Sequence, residues 1–115
     1  MNITPGLERV WYARTEHGWH AIVGARAYRV KGWPELDLCI VRQQRRGSQL
    51  LAEWAITEGR TGRIVATGLS RLEAETRLQT VLANVGKEVM QARIARDSAG
   101  PGLSPRYTRE EAAHD

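Results

Sequence analysis

Arginine offers most of the chemistry in this chain. Of its 17 basic residues, 15 are Arg and 2 are Lys. A guanidinium forks onto phosphate or carboxylate and stacks on flat rings, which suits nucleic acid or an acidic protein surface. A GC-rich coding sequence gives the same bias, and abundant Ala and Gly with no Phe agree with that source. Arg45-Arg46-Gly47-Ser48 reads as a hairpin tip, with Arg42 just before it, and Arg71 opens a helix. Arg60 and Arg63 belong to a second turn, in which Gly59 and Gly62 leave the backbone open to a phosphate. Arg at exposed turns is also ordinary solvated surface. Trp11, Trp19, Trp33 and Trp54 are the large rings, and one standing beside Arg on an open sheet face could stack on an unpaired base. Trp54, two residues from Ile56, reads as core, whereas Trp33, next to Pro34 in a loop, reads as exposed.

Other chemistries find little support. His17, His20 and His114 with the single Cys39 supply no zinc set of suitable type and spacing. Glu35 and Asp37 share a face at a strand start, a weak acid–base signal that a solvated strand end explains equally well. There is no G-x-S-x-G, P-loop or G-x-G-x-x-G motif. A non-enzymatic protein with neither metal nor cofactor is expected.

Strands and one helix position these residues. Stretches 8–15, 19–30, 36–43, 50–57 and 63–68 carry strand-forming residues between turn signals, with Gly24 marking a bulge or bend in the long second stretch. Ser70 followed by Glu73 is a capping box opening a helix over 71–96, whose apolar stripe is Leu78, Val81, Leu82, Val85 and Val89. Gly86 is costly inside a helix, and the reading favours one continuous helix over a break there. The fold expected is α+β: an antiparallel four- to five-stranded meander with one long C-terminal helix on one face. The other face is solvated or covered by a partner. Residues 1–97 form the domain, and 98–115, rich in Gly, Pro and Ser and then charged, form a flexible tail. In a simple meander one end gathers His17, His20, Arg42, Arg45, Arg46 and Arg71, and the other Lys31, Trp33, Arg60 and Arg63.

The 115 residues suit one core, and the net charge is +4. Residues 1–96 hold 15 Lys+Arg against 9 Asp+Glu, a net of +6, and residues 97–115 hold 2 against 4, a net of −2. The chain shows no apolar run of membrane-spanning length and no secretory signal, so a cytoplasmic location away from membranes is expected. A lone Cys39 in an apolar run reads as a buried structural thiol.

The stretch WAITEGRTGRIVATGLSRLEA (54–74) resembles small phage- or plasmid-encoded proteins and the HicB-like antitoxin arrangement, in which a Pro-Glu/Asp-Leu turn closely precedes a Gly-Thr/Ser-x-x-Glu-Ala helix start. Here Pro34-Glu35-Leu36 and Gly68–Ala74 are separated by two further strands, and the resemblance assigns no site residue. The leading expectation is a small basic binding protein that engages nucleic acid through Arg42, Arg45, Arg46, Arg60, Arg63 and Arg71, with Trp33 exposed beside a binding surface. The alternative is a phage or mobile-element protein, anti-CRISPR-like in style, that binds and inhibits a host protein or nucleoprotein complex. A homodimer through the open sheet face is compatible with either.

Overall fold

A computed structural model describes residues 10–44 and 52–107. Strands β1 (Tyr12–Thr15) and β2 (Gly18–Ala21) form a small antiparallel sheet of their own. Strands β3 (Arg26–Tyr28), β4 (Leu38–Gln44), β5 (Ala52–Glu58) and β6 (Ile64–Gly68) form a second antiparallel sheet in sequential order. Helices α1 (Arg71–Val85) and α2 (Lys87–Asp97) follow, and a 3₁₀ turn spans Gly100–Gly102. The fold is α+β with antiparallel sheets, as the sequence suggests. Among the described residues no helix is long and apolar enough to cross a membrane.

The expected single meander is two sheets, because the 19–30 stretch ends as β2 at Ala21 and resumes as β3 at Arg26. Gly24 lies between them with φ +80°. The small hairpin docks on the β5–β6 turn instead of extending the larger sheet. The Arg14 amide donates to the Gly62 carbonyl at 2.9 Å. Gly62 has φ +68°, and a Cβ there would run into the Trp19 ring and the Arg14 backbone, so a residue with a side chain is excluded twice over.

The expected single helix is also two. Gly86 takes φ 81° and ψ 160°, a region essentially reserved for glycine, where an L side chain costs about 1–3 kcal/mol. Its amide closes α1 onto the Leu82 carbonyl at 3.0 Å, and its own carbonyl accepts from the Met90 amide at 3.0 Å to start α2. The break re-phases the apolar stripe. Leu78 and Leu82 are buried and Val81 and Val85 half-buried as expected, but Val89 turns outward and Met90 takes the buried position. The capping box forms with one change. The Ser70 hydroxyl accepts from the Glu73 amide at 3.1 Å, but the Glu73 carboxylate accepts from the amide of Leu69, at 3.0 Å, not from that of Ser70.

Alternation along β4 and β5 sorts the core onto two faces. Cross-strand partners share a face, so Leu38, Ile40, Ile56 and Ala66 point together and meet Ala74, Leu78 and Leu82 of α1 and Met90 of α2. The opposite face carries Cys39, Val41, Ala55 and Thr57, and it too is buried, not open to solvent or a partner as expected. Part of its cover is the segment 98–107, read from sequence as flexible tail. Ser104, Arg106 and Tyr107 of that segment are buried. Residues 108–115 lie outside the described residues, as does the 45–51 connection.

This strap is held by Asp37. Arg106 Nε donates to Asp37 Oδ2 at 2.8 Å and Nη2 donates to Oδ1 at 3.2 Å, while the Tyr107 hydroxyl donates to Oδ2. Both charged side chains are below one-tenth exposed. The Arg106 guanidinium also lies 3.7 Å over the Trp11 ring, tying in the residues before β1. The strap's approach is fixed by the Ser104 amide, which donates to the Arg60 carbonyl at 2.8 Å. Asp37 is therefore a buried anchor and not the solvated strand end of the sequence reading.

Cys39 is buried, and burial pushes its thiol up to about 12 from an ordinary value near 9. Its protonated form is favoured by the fold, so the stability this supplies is whole below the unfolded thiol's pKa and is lost as pH climbs toward about 12. A thiol-specific reagent at pH 8 is expected to leave the native protein unlabelled and to label it fully in denaturant. Rapid native labelling would place the thiol on the surface.

Candidate nucleic-acid interface

The capped start of α1, the last residues of β4 and the first of β5 meet at one corner of the larger sheet. Arg42 lies opposite Trp54, and Trp54 lies opposite Gly68, so Arg42 and Trp54 project from the face that carries α1. Across β4, Arg26 pairs with Ile40 and Tyr28 with Leu38, which puts both β3 side chains on the same face. Arg71, the first residue of α1, holds its guanidinium 5.9 Å over the Trp54 ring. Gly68 lets the helix come this close, since a Cβ there would strike the Ala74 amide. Arg26, Arg42 and Arg71 are exposed, and Trp54 and Tyr28 are half-buried against the core.

Glu75 and Glu73 are the carboxylates at this corner among the described residues. Glu75 accepts from the Tyr28 hydroxyl at 3.0 Å and lies 3.8 Å from Arg71 Nε. Burial first, and then the bond to Glu75, push the Tyr28 phenol up, so it stays a neutral donor. Glu73, which caps the Leu69 amide, lies 3.5 Å from Arg77 Nη2, so among the described residues of the corner four guanidinium groups stand against two carboxylates, a local excess of two positive charges. Arg26 and Arg42 sit on the diagonal of one antiparallel pair, a backbone separation of roughly 7–8 Å, so two like charges share one patch of the face. Stability alone does not favour that placement, whereas an anionic ligand is attracted by it.

The arginines named from sequence separate into groups. Arg42 and Arg71 come together at this corner. Arg60 sits at the opposite end of β5, its guanidinium 5.2 Å over the Tyr107 ring and its carbonyl bonded to the strap, which ties it to the internal architecture. Arg63, near it, lies 3.8 Å from Asp97 in an exposed pair. Trp33 is half-buried against the core, with Lys87 Nζ 5.6 Å over its ring, so it is neither fully exposed nor near the corner arginines in its contacts. Arg45 and Arg46 lie outside the described residues. His17 and His20 do not join the corner: both are exposed on the small hairpin, and His17 Nε2 is 3.4 Å from its neighbour Glu16.

Arg26, Tyr28 and Trp54 were missed as site residues. The pattern Arg26-x-Tyr28 within a short strand was the one available signal, and it acquires meaning only from the pairing with β4. Two exposed leucines, Leu69 and Leu72, flank Arg71.

The other polar cluster is internal. Glu58 accepts from the Arg60 amide at 3.0 Å and the Thr61 amide at 2.8 Å, closing its own turn, and desolvation raises its carboxyl above the usual range despite these bonds. A cleft of about 170 Å³ beside Asp37 is lined by Trp11, Tyr28, Arg29, Pro34 and Arg106. The facing groups there, Asp37 and Arg106, are already bonded to each other. Among the described residues no group of three or more His, Cys, Asp and Glu could hold a metal ion. Compared with protein-family models, curated proteins and solved structures, the chain finds no match.

Proposed function

We propose that this is a small non-enzymatic binding protein that engages nucleic acid through the corner formed by β3, β4, β5 and the start of α1. The observation that carries this reading is that Arg42 and Arg71 flank a half-buried Trp54, with Arg26 one register step from Arg42 on the same face, so that guanidinium groups outnumber carboxylates among the described residues of the corner. Guanidinium groups contact phosphate sequence-independently, and each contact releases counterions. Three such contacts give a log affinity against log salt slope of about −2.7 on duplex and −2.1 on single strands. Between 50 and 200 mM salt, affinity is then expected to fall roughly 20- to 40-fold.

Fluorescence-anisotropy titration of labelled oligonucleotides over that salt range tests the reading. Arg42→Ala combined with Arg71→Ala is expected to flatten the slope by about 1.4–1.8 while leaving the thermal melt close to that of the parent, because both side chains are exposed. Binding that is independent of salt, or a slope unchanged in the double variant, would remove this corner from consideration.

A second reading rests on Leu69 and Leu72, which are 65 % and 72 % exposed beside Arg71. An apolar pair next to a basic cluster suits an acidic protein surface, as an inhibitor of a host protein or nucleoprotein complex would require. A defined stoichiometric complex with such a component, together with no affinity for free nucleic acid, would favour it.

A further inference from the structure

We infer that the corner takes unpaired bases, with Trp54 as a stacking platform and Arg26, Arg42 and Arg71 as the phosphate contacts, so that the ligand is single-stranded nucleic acid. The inference rests on the nucleic-acid reading above and narrows its substrate class. Phosphate contacts alone account for duplex binding and have no use for a ring at their centre. Trp54 occupies that centre: Arg42 is its cross-strand partner, and Arg71 lies over its ring. One edge of the indole is fixed by packing against the core, which holds the ring in place before any ligand arrives.

The contact between Arg71 and the ring is a loose one. Arg71 stands 5.9 Å from the ring centroid, well beyond the roughly 3.5–4.0 Å of close-packed atoms. Its side chain is half exposed and its ion pair with Glu75 is a long one at 3.8 Å. A base can therefore displace or slide under the guanidinium, which remains close enough to meet the adjoining phosphate. Tyr28 is joined to the corner through Glu75, which accepts from its hydroxyl at 3.0 Å and lies 3.8 Å from Arg71 Nε. Every base presents a π-face, so this recognition is tolerant of sequence.

The test uses the full chain and labelled 12-nucleotide oligomers of dT and of U, together with a blunt duplex of mixed sequence, at 50 mM salt. Both single-stranded oligomers and the duplex are titrated against the parent, Trp54→Leu and Trp54→Phe, with melting curves recorded for each. The expected result is tighter binding of the dT or U oligomer than of the duplex. Trp54→Leu should weaken it about 5- to 150-fold, a larger loss than it causes for the duplex, and Trp54→Phe should retain most of it. If Trp54→Leu fails to fold, the difference in emission between the parent and Trp54→Phe isolates the Trp54 signal. Quenching of that signal by the oligomer supports stacking, and its absence overturns it. Equal affinity for duplex and single strands, with no effect of Trp54→Leu on either, overturns the inference and leaves the nucleic-acid reading standing. Absence of salt-sensitive binding to any of the three overturns both.

Discussion

Asp37→Ala is expected to destabilise the protein by roughly 3–5 kcal/mol, a large share of the ~5–15 kcal/mol that a domain of this size possesses. The reason is what it leaves behind. Arg106, less than one-tenth exposed, would retain its charge with both of its carboxylate bonds gone, and the Tyr107 hydroxyl would lose its acceptor in the same step. With an m-value of about 1–3 kcal/mol/M, the urea midpoint should fall by about 1 M or more. Arg63→Ala provides the contrast. It removes a 3.8 Å pair with Asp97 in which the arginine is well exposed, and such pairs contribute ~0–1 kcal/mol. Replacing both members of the buried pair with apolar residues, Asp37→Leu with Arg106→Met, is expected to recover much of the loss, since no charge is then stranded. If Asp37→Ala and Arg63→Ala shift the midpoint equally, the strap is not anchored as described.

Leu78→Ala is the second large effect, at about 2–5 kcal/mol. Leu78 is fully buried where α1 crosses the sheet, in the cluster with Ile56, Ala66 and Leu82. The substitution removes the transfer free energy of its methyl and methylene groups and adds the cost of whatever cavity the neighbours fail to close. Leu72, on the same helix but 72 % exposed, supplies the control: Leu72→Ala should change stability by no more than about 0.5 kcal/mol. Chemical denaturation of the three proteins side by side decides the matter. A Leu78→Ala midpoint indistinguishable from that of Leu72→Ala would mean that α1 does not cover the sheet.

The parts legible in the sequence are those specified by near neighbours. Alternation gave the strands of the larger sheet, Ser70 and Glu73 marked the helix start within one residue, and the apolar run around Cys39 implied its burial. What was not legible depends on partners far away along the chain. Arg106 sits among Gly, Pro and Ser, a composition that signals disorder, and its place is given by residues far back along the chain, Asp37, 69 residues earlier, and Trp11. Gly86 is ambiguous from sequence because a glycine inside a helix and a glycine ending one differ only in φ and ψ, and the packing of Met90 decides between them. The candidate corner was half visible. Arg42 and Arg71 stood out as charges near turns, but Trp54 read as core because Ile56 shares its face. In fact the strand runs from a buried centre at Ile56 out to the rim, where the same face is half open. Register, which sequence alone does not provide, puts Arg26 beside Arg42.

The strap also bears on the order of events as the chain folds. Closing the 69-residue loop between Asp37 and Arg106 carries an entropy cost of about 4 kcal/mol by the chain-length term, whereas the β5–β6 hairpin and α1 join residues near one another along the chain. Local contacts are expected to form first, which leaves the long-range pair out of a nucleus built on β4, β5, β6 and α1. The strap is then expected to act as a latch set after the rate-limiting step. On this order Asp37→Ala is expected to speed unfolding and leave the folding rate almost untouched, which the two arms of a chevron plot would show.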